Sequence, residues 1–275
     1  APAEDKYRAI VSYPEVTRAA VRLAAEAIRA SERAKHVRLA VTEYTTMYYP
    51  NTIRQGLPNE HTLEAAVANA ANLNEFIRSR DILDICNYSD LVNGWLGGVI
   101  RVGDGYADQR RGRLTGWSGK GDLIYGTPTY YVLEMYANAQ LEKVVAHDLE
   151  CGAFDAPKHV HGVPTAGLPV LDVVCGVKRG GGTLAAFIVN RALEDVDLAL
   201  YVADVPAGSG GFVRVTELTG ASPDVINDVF QPEAVVPKAY SLPLAGNELA
   251  LKLRKHSVYL VEWPIERQPP AANPS

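Results

Sequence analysis

Cysteine is scarce in this chain of 275 residues: there are three, Cys86, Cys151 and Cys175. No CxxC pair occurs, so neither a disulfide framework nor a structural zinc site is expected, and packed, reduced thiols are the default. A Cys151–Cys175 bridge stays open, although the spacing does not suggest it. Reduced thiols fit a cytoplasmic protein, with secretion as the alternative. Long apolar runs are absent too: none reaches the ~18–20 residues that span a bilayer, so no membrane partner is expected. The opening residues, APAEDKYRAI, lack the basic segment and apolar stretch of a signal peptide. They also lack an initiator Met, from which a processed, trimmed or partial chain is expected. Basic excess is missing: the net charge is −5, and no basic face argues for a nucleic-acid partner. Neither GxxxxGK[ST] nor a helix-opening GxGxxG occurs, which argues against a phosphate cradle. No nucleophile elbow supports Ser/His/Asp catalysis. His159 and His161 stand two apart without an acidic partner at matching spacing, and read as surface histidines. No metal and no cofactor are expected.

What is present is an ordinary globular composition, 47% hydrophobic and 21% charged, suited to one large or two ordinary domains. The character changes near residue 150. Before it, apolar stripes at i, i+3, i+4 spacing predict helices over Pro14–Ser31, Thr62–Arg80 and Thr127–Lys143. Thr62 and Thr127 are expected N-caps, with Pro14 and Pro128 in first turns. Apolar strands are predicted at Val37–Glu43 and Asp81–Tyr88. Helices alternating with strands imply parallel strands and crossover helices, the last units of a larger α/β barrel or sheet. After residue 150, strands are predicted at Thr183–Asn190, Val196–Val202, Phe212–Leu218, Glu248–Lys252 and Ser257–Trp263. Arg179–Gly182 reads as a hairpin turn. This half is expected to be a β-sandwich or jelly roll.

The residue of most interest is Glu43. Strand alternation puts Val37, Leu39, Val41 and Glu43 on one face, with the carboxylate at the strand's carboxyl end. Barrels and open α/β sheets place their chemistry at that end. Tyr44, Tyr48 and Tyr49 follow, so the pattern suits a sugar-cleaving nucleophile. A Glu in such a place is also commonly a solvated strand end or a helix-cap partner. Asp84, expected on the face of Ile82 and Cys86, could point into a barrel as a second carboxylate, but reads rather as one that pairs with an arginine or caps a turn. Tyr130, Tyr131 and Tyr136 read as packing residues. Asn87-Tyr-Ser89 matches a glycosylation acceptor, but its place near the candidate site argues against that use. The long Gly-rich connection Leu91–Gly126, carrying Arg110, Arg111, Arg113, Trp117 and Lys120, reads either as a substrate-facing lid or as a solvated loop.

Four stretches resemble family 51 of the glycoside hydrolases, the α-L-arabinofuranosidases. LAVTEYTTMYY is similar to the family's nucleophile strand. TLEAAVANAANLNEFIRSRDILDICNYSDLVNGWLGGVI is similar to its next helix and eighth strand. TPTYYVLEMYANAQ is similar to its last barrel helix, and SPDVINDVFQPEAVVPK to an Asn-rich loop before the final strands. Their order over roughly residues 5–265 is more specific than any one of them.

The resemblance implies a fold of α/β plus all-β class. Residues 1–148 would form the carboxyl-terminal units of an incomplete (β/α)8 TIM barrel and 149–265 a β-sandwich or jelly roll; the Pro- and Ala-rich composition of the end makes 266–275 an expected disordered tail. It implies a retaining hydrolase that releases α-L-arabinofuranosyl residues from arabinose-containing oligo- or polysaccharides. In such an enzyme two carboxyl groups stand ~5–5.5 Å apart, one attacking and one serving as acid and then base. Glu43 matches the nucleophile, with Tyr44, Tyr48 and Asn87 as sugar-site neighbours. The sequence departs from the family in three respects. The acid/base Glu belongs to an Asn-Glu pair on an earlier barrel strand, which this chain lacks. Asn59-Glu60 has the letters but sits in a loop ahead of a helix, so the role is not transferred to it. Met47 stands where many members carry Trp, and no Gln lies near Leu123. The expected partners are therefore the sugar, a missing amino-terminal half of the barrel and, through exposed edges, self-association. The competing expectation is a non-catalytic carbohydrate-binding or accessory module.

Overall fold

The computed structural model describes residues 3–46, 61–93, 98–103, 122–157, 165–203, 211–244 and 246–265. The chain opens with α1 (Ala3–Val11) and α2 (Pro14–Ala30). α1 was not among the expected elements, although Tyr7, Ile10 and Val11, spaced i, i+3, i+4, are its buried stripe. Pro14 stands at the first helical position of α2, where its missing N–H costs nothing. β1 (Leu39–Tyr44), α3 (Leu63–Arg78) and β2 (Leu83–Tyr88) follow, and β1 pairs with β2 in parallel. Thr62 caps α3 by accepting a hydrogen bond from the Ala65 N–H. The N–H groups of Leu63 and Glu64 are met by the carbonyls of Val225 and Pro223. The Asn-rich loop thus completes the amino-terminal end of α3.

Two short strands, β3 (Ile100–Val102) and β4 (Ile124–Gly126), pair antiparallel at the base of the long Gly-rich connection. Arg110, Arg111, Arg113, Trp117 and Lys120 of that connection lie outside the described residues, as do His159, His161 and the tail 266–275. α4 (Pro128–Ala139) is capped by Thr127 and ends earlier than expected. Gln140 takes a left-handed conformation (φ 48°) and releases the chain into β5 (Leu141–Val145). The helical period continued into residues that the edge of a sheet claims instead.

The second half comprises β6 (Ala153–Phe154), β7 (Leu168–Pro169), β8 (Leu171–Lys178), β9 (Thr183–Asn190), β10 (Val196–Tyr201), β11 (Gly211–Leu218), β12 (Lys238–Leu244), β13 (Glu248–Leu253) and β14 (Ser257–Pro264). The predicted turn joins β8 to β9, with Gly180 and Gly181 at positive φ. Six strands form one antiparallel sheet in the order β12-β11-β14-β9-β8-β5. One face carries Val213, Val215, Tyr259, Val261 and Ile188, and packs on Leu249, Leu251 and Leu253 of the β10–β13 pair. The other face sends Val174, Phe187 and Leu260 against Val67 and Ala70 of α3 and Met135 of α4. The middle of the sheet is therefore buried on both sides, which is why β9 and β14 read as near-continuous apolar runs. Tyr136 of α4 stacks on Phe187 at 3.6 Å and donates its hydroxyl to Asn74 and to the Ala70 carbonyl. It is packing, as its sequence context suggested. All three cysteines are free, and burial pushes the Cys175 thiol up to about 11.

Charge also crosses the junction of helices and sheet. Asp172 of β8, 5% exposed, accepts hydrogen bonds from both terminal nitrogens of Arg78 (3.1 Å each), from Arg18 (3.0 Å) and from the Asn74 amide (2.7 Å). Glu75 and Glu15 hold the other side of Arg18, and Glu15 also pairs with the fully buried Arg191 at 3.1 Å. α2, α3 and β8 are joined through these ions.

Candidate functional site

The structure corrects the expected face of Glu43. Leu39 and Val41 pack toward α3 in a cluster with Tyr44, Phe76, Leu83 and Tyr88. Register runs Val41↔Cys86 and then Tyr44↔Tyr88, so three steps on β1 match two on β2. That is a bulge, one extra residue opposite its neighbour. Without it Tyr44 would fall on the face opposite Val41; with it, both point to α3. Thr42 and Glu43 lie across the bulge from Asn87. Glu43, adjacent to Tyr44 on a strand, projects from the opposite, open face, together with Ala40 and Ile85. It does not share a face with Leu39 and Val41.

The bulge brings Glu43 and Asn87 together and separates them from Tyr44. Both residues of the pair are exposed. Glu43 is exposed, and among the described residues nothing encloses it. Tyr44 is 8% exposed and meets Phe76 and Tyr88 edge-on, with ring centroids 4.9 and 5.4 Å away. Burial pushes its phenol well above the ordinary tyrosine range. It anchors the strand from behind and does not present a ring to the open face. Tyr48 and Met47 lie outside the described residues, as do Asn59 and Glu60.

The strand end is fixed on its covered side. Thr46 donates to the Asn69 side-chain oxygen at 2.8 Å, and Asn69 donates to Thr129 at 3.4 Å, tying β1 to α3 and α4. Thr45 bonds the Tyr88 hydroxyl at 3.2 Å, and the Ser89 N–H bonds the Tyr44 carbonyl. These contacts hold the backbone on either side of Glu43 and leave its carboxylate free to act on something placed over the open face. Asp84 is paired with Arg38, at 2.7 and 3.0 Å. The guanidinium holds that carboxyl below its ordinary value, and Asp84 is not a second catalytic group in this arrangement.

The sequence signal for the bulge was faint: apolar alternation in LAVTEY breaks after Val41, where Thr42 and Glu43 stand side by side before an aromatic. The ion cluster at Asp172 was also missed. Its members are scattered from residue 15 to residue 191, and no local spacing connects them.

The family model described as the α-L-arabinofuranosidase C-terminal domain matches residues 42–257. Among solved structures, one of an α-L-arabinofuranosidase from Thermotoga maritima in an arabinose complex is 19% identical with a TM-score of 0.76, covering 94% of this chain and 50% of that one. Family 51 enzymes from Thermotoga petrophila and from Xanthomonas axonopodis are each 19% identical with a TM-score of 0.74, covering 91% and 96% of this chain and 48% of theirs. The chain thus spans about half the length of the structures it matches. No curated protein matches it. Among the described residues, no helix is long and apolar enough to cross a membrane.

Proposed function

Because the chain belongs to the α-L-arabinofuranosidase C-terminal domain family, we propose that it is the carboxyl-terminal part of a retaining arabinofuranosidase with Glu43 as nucleophile. The observation that carries this reading is the bulge, which turns Glu43 and Asn87 together onto the open carboxyl end of a parallel strand pair. Two parallel strands do not make a stable sheet, and parallel sheets have both faces covered by further elements. The open face, with Ile85 52% exposed on it, is then the wall of an incomplete (β/α)8 barrel. The missing units would complete the pocket around Glu43 and supply the acid/base.

In that setting Glu43 attacks the anomeric carbon and forms a glycosyl-enzyme, and a protonated carboxyl group gives its proton to the leaving oxygen. Asn87, across the bulge, donates to a sugar hydroxyl, and Tyr48 flanks the ring. Tyr44 serves the site by holding the strand. The strands from β5 (Leu141–Val145) onward, and not from residue 149 as expected, act as the β-sandwich that braces the last helices, and the substrate is an arabinose-containing oligo- or polysaccharide. No metal or cofactor is needed for this chemistry.

The exposure of Glu43 also favours a second reading, in which the chain by itself is a non-catalytic accessory module. Turnover of aryl arabinofuranosides decides on the isolated chain. Negligible turnover is expected, because the proton donor lies elsewhere. Robust turnover that survives Glu43→Gln would overturn the mechanism. The intact mass of the natural product tests for the missing units.

A further inference from the structure

We propose that the groove between α4 and the large sheet is a second ligand site, built for a neutral, hydroxyl-rich chain of the arabino-oligosaccharide type. Glu43 belongs to the strand pair on the other side of α3. The sheet face that packs on the helices continues past α4 and emerges into solvent. There Arg214 lies opposite Ser241 and Glu262, and Thr216 lies opposite Ala239 and Leu260. Glu134, Met135 and Asn138 of α4 form the facing wall of a cavity of about 400 Å³, within the ~300–1,000 Å³ of small-ligand sites.

Its charges indicate the ligand. Lys178 and Arg214 are balanced by Glu134 and Glu262, and Glu262 accepts from Lys178 and lies 3.7 Å from Arg214. With two cations and two anions the lining carries no net charge to favour a phosphate or carboxylate, and the polar rim does not suit a lipid. Paired donors and acceptors set side by side match neighbouring hydroxyls, each of which can both donate and accept. Met135, Pro237 and Leu260 add an apolar floor for the C–H face of a sugar. Beyond the cavity lining, Phe212, two residues before Arg214 on the same strand face and 67% exposed, offers an open ring on which a longer chain can stack.

Only the choice of sugar rests on the arabinofuranosidase reading. The isotope-labelled full chain is titrated by NMR with a linear arabino-oligosaccharide, and in parallel with a cello-oligosaccharide and inorganic phosphate. Saturable shifts are expected around Asn138, Lys178 and Arg214 with the first probe. Affinity should fall about fivefold or more in Arg214→Ala and in Phe212→Ala, the change for one lost polar or stacking contact. It should be unchanged in Glu43→Gln. Both altered side chains are largely exposed, so the variants fold. The proposal is overturned by absent saturation, by equal binding of the cello-oligosaccharide or of phosphate, or by shifts indifferent to Arg214→Ala. It is equally overturned if these residues shift with protein concentration alone, which would make the groove a self-association face. Groove binding without reactivity at Glu43 would strike the catalytic reading alone.

Discussion

Replacing Asp172 with Ala removes the anion on which Arg78 and Arg18 converge and leaves the Asn74 amide only the backbone carbonyl of residue 172, at 3.2 Å, as acceptor. Removing one partner of a buried ion pair costs about 3–5 kcal/mol, mostly because the remaining charge stays desolvated. Here the guanidiniums are partly open, with side-chain exposures of 28% for Arg78 and 34% for Arg18, and Glu75 still faces both. Water and Glu75 therefore recover part of the loss, and about 2–4 kcal/mol is expected. For a chain of this size that corresponds to a fall in Tm of roughly 4–8 °C. Paired with Arg78→Ala, the double variant should lose less than the sum of the singles by about 1.5 kcal/mol or more. Urea and thermal unfolding measure both quantities. A single-variant cost below about 1 kcal/mol, or strict additivity, would refute the idea that this cluster holds the helices to the sheet. Burial opposes the Asp172 charge, but Arg78, Arg191 and Arg18 overcome it and hold the carboxyl below its ordinary 3.8. Its stabilising contribution is therefore present above that value and is lost as acid takes the pH down through the folded pKa.

Gly176→Ala should loosen β5. An added Cβ would meet the Lys143 carbonyl oxygen at 2.7 Å, a cost of about 1–3 kcal/mol, and hydrogen exchange of the Val144 and Val145 amides should speed up. Unchanged protection would contradict the close approach of the two strands. His256, buried in the turn between β13 and β14 at φ 39°, sits edge-on to Tyr7 and near Arg254, Lys255 and Asp195. Burial holds its pKa below the ordinary 6.5, against the Gly220 backbone. The neutral ring is the folded form, so stability is kept above 6.5 and lost as pH falls through the lowered value. His256→Asn, which tolerates positive φ, should flatten the urea midpoint between about pH 7.5 and 5.5, and an unaltered slope would exclude the ring as the cause.

Much of the fold was legible where local chemistry and burial agree. Thr62 and Thr127 announce their helices through short-range capping, and alternation in β11 and β13 follows directly from a strand with one wet and one dry face. Elements set by distant partners were harder to read. β8 is apolar on both faces and broken by Gly176, whose meaning depends on β5 lying against it. β12 contains Pro243, which argues against a central strand and is admitted because β12 is an edge. Gln140 ends α4 by a left-handed step that no breaker residue signals. At the site, the sequence pointed to Glu43 and Asn87 but assigned the wrong face, because period-2 counting cannot see a bulge. Tyr44 was read as a sugar neighbour because it follows Glu43 and an aromatic stands there in the family, but adjacent strand residues face opposite ways and it lies on the helix side.

The most direct measurement of the nucleophile assignment is covalent trapping. The chain is incubated with an arabinofuranosyl inactivator of the retaining class, whose leaving group departs without a proton, and its peptides are mapped by mass. The account predicts one glycosyl adduct on the peptide containing Glu43, absent in Glu43→Gln. An adduct on another carboxylate, or none under saturating reagent, would contradict it.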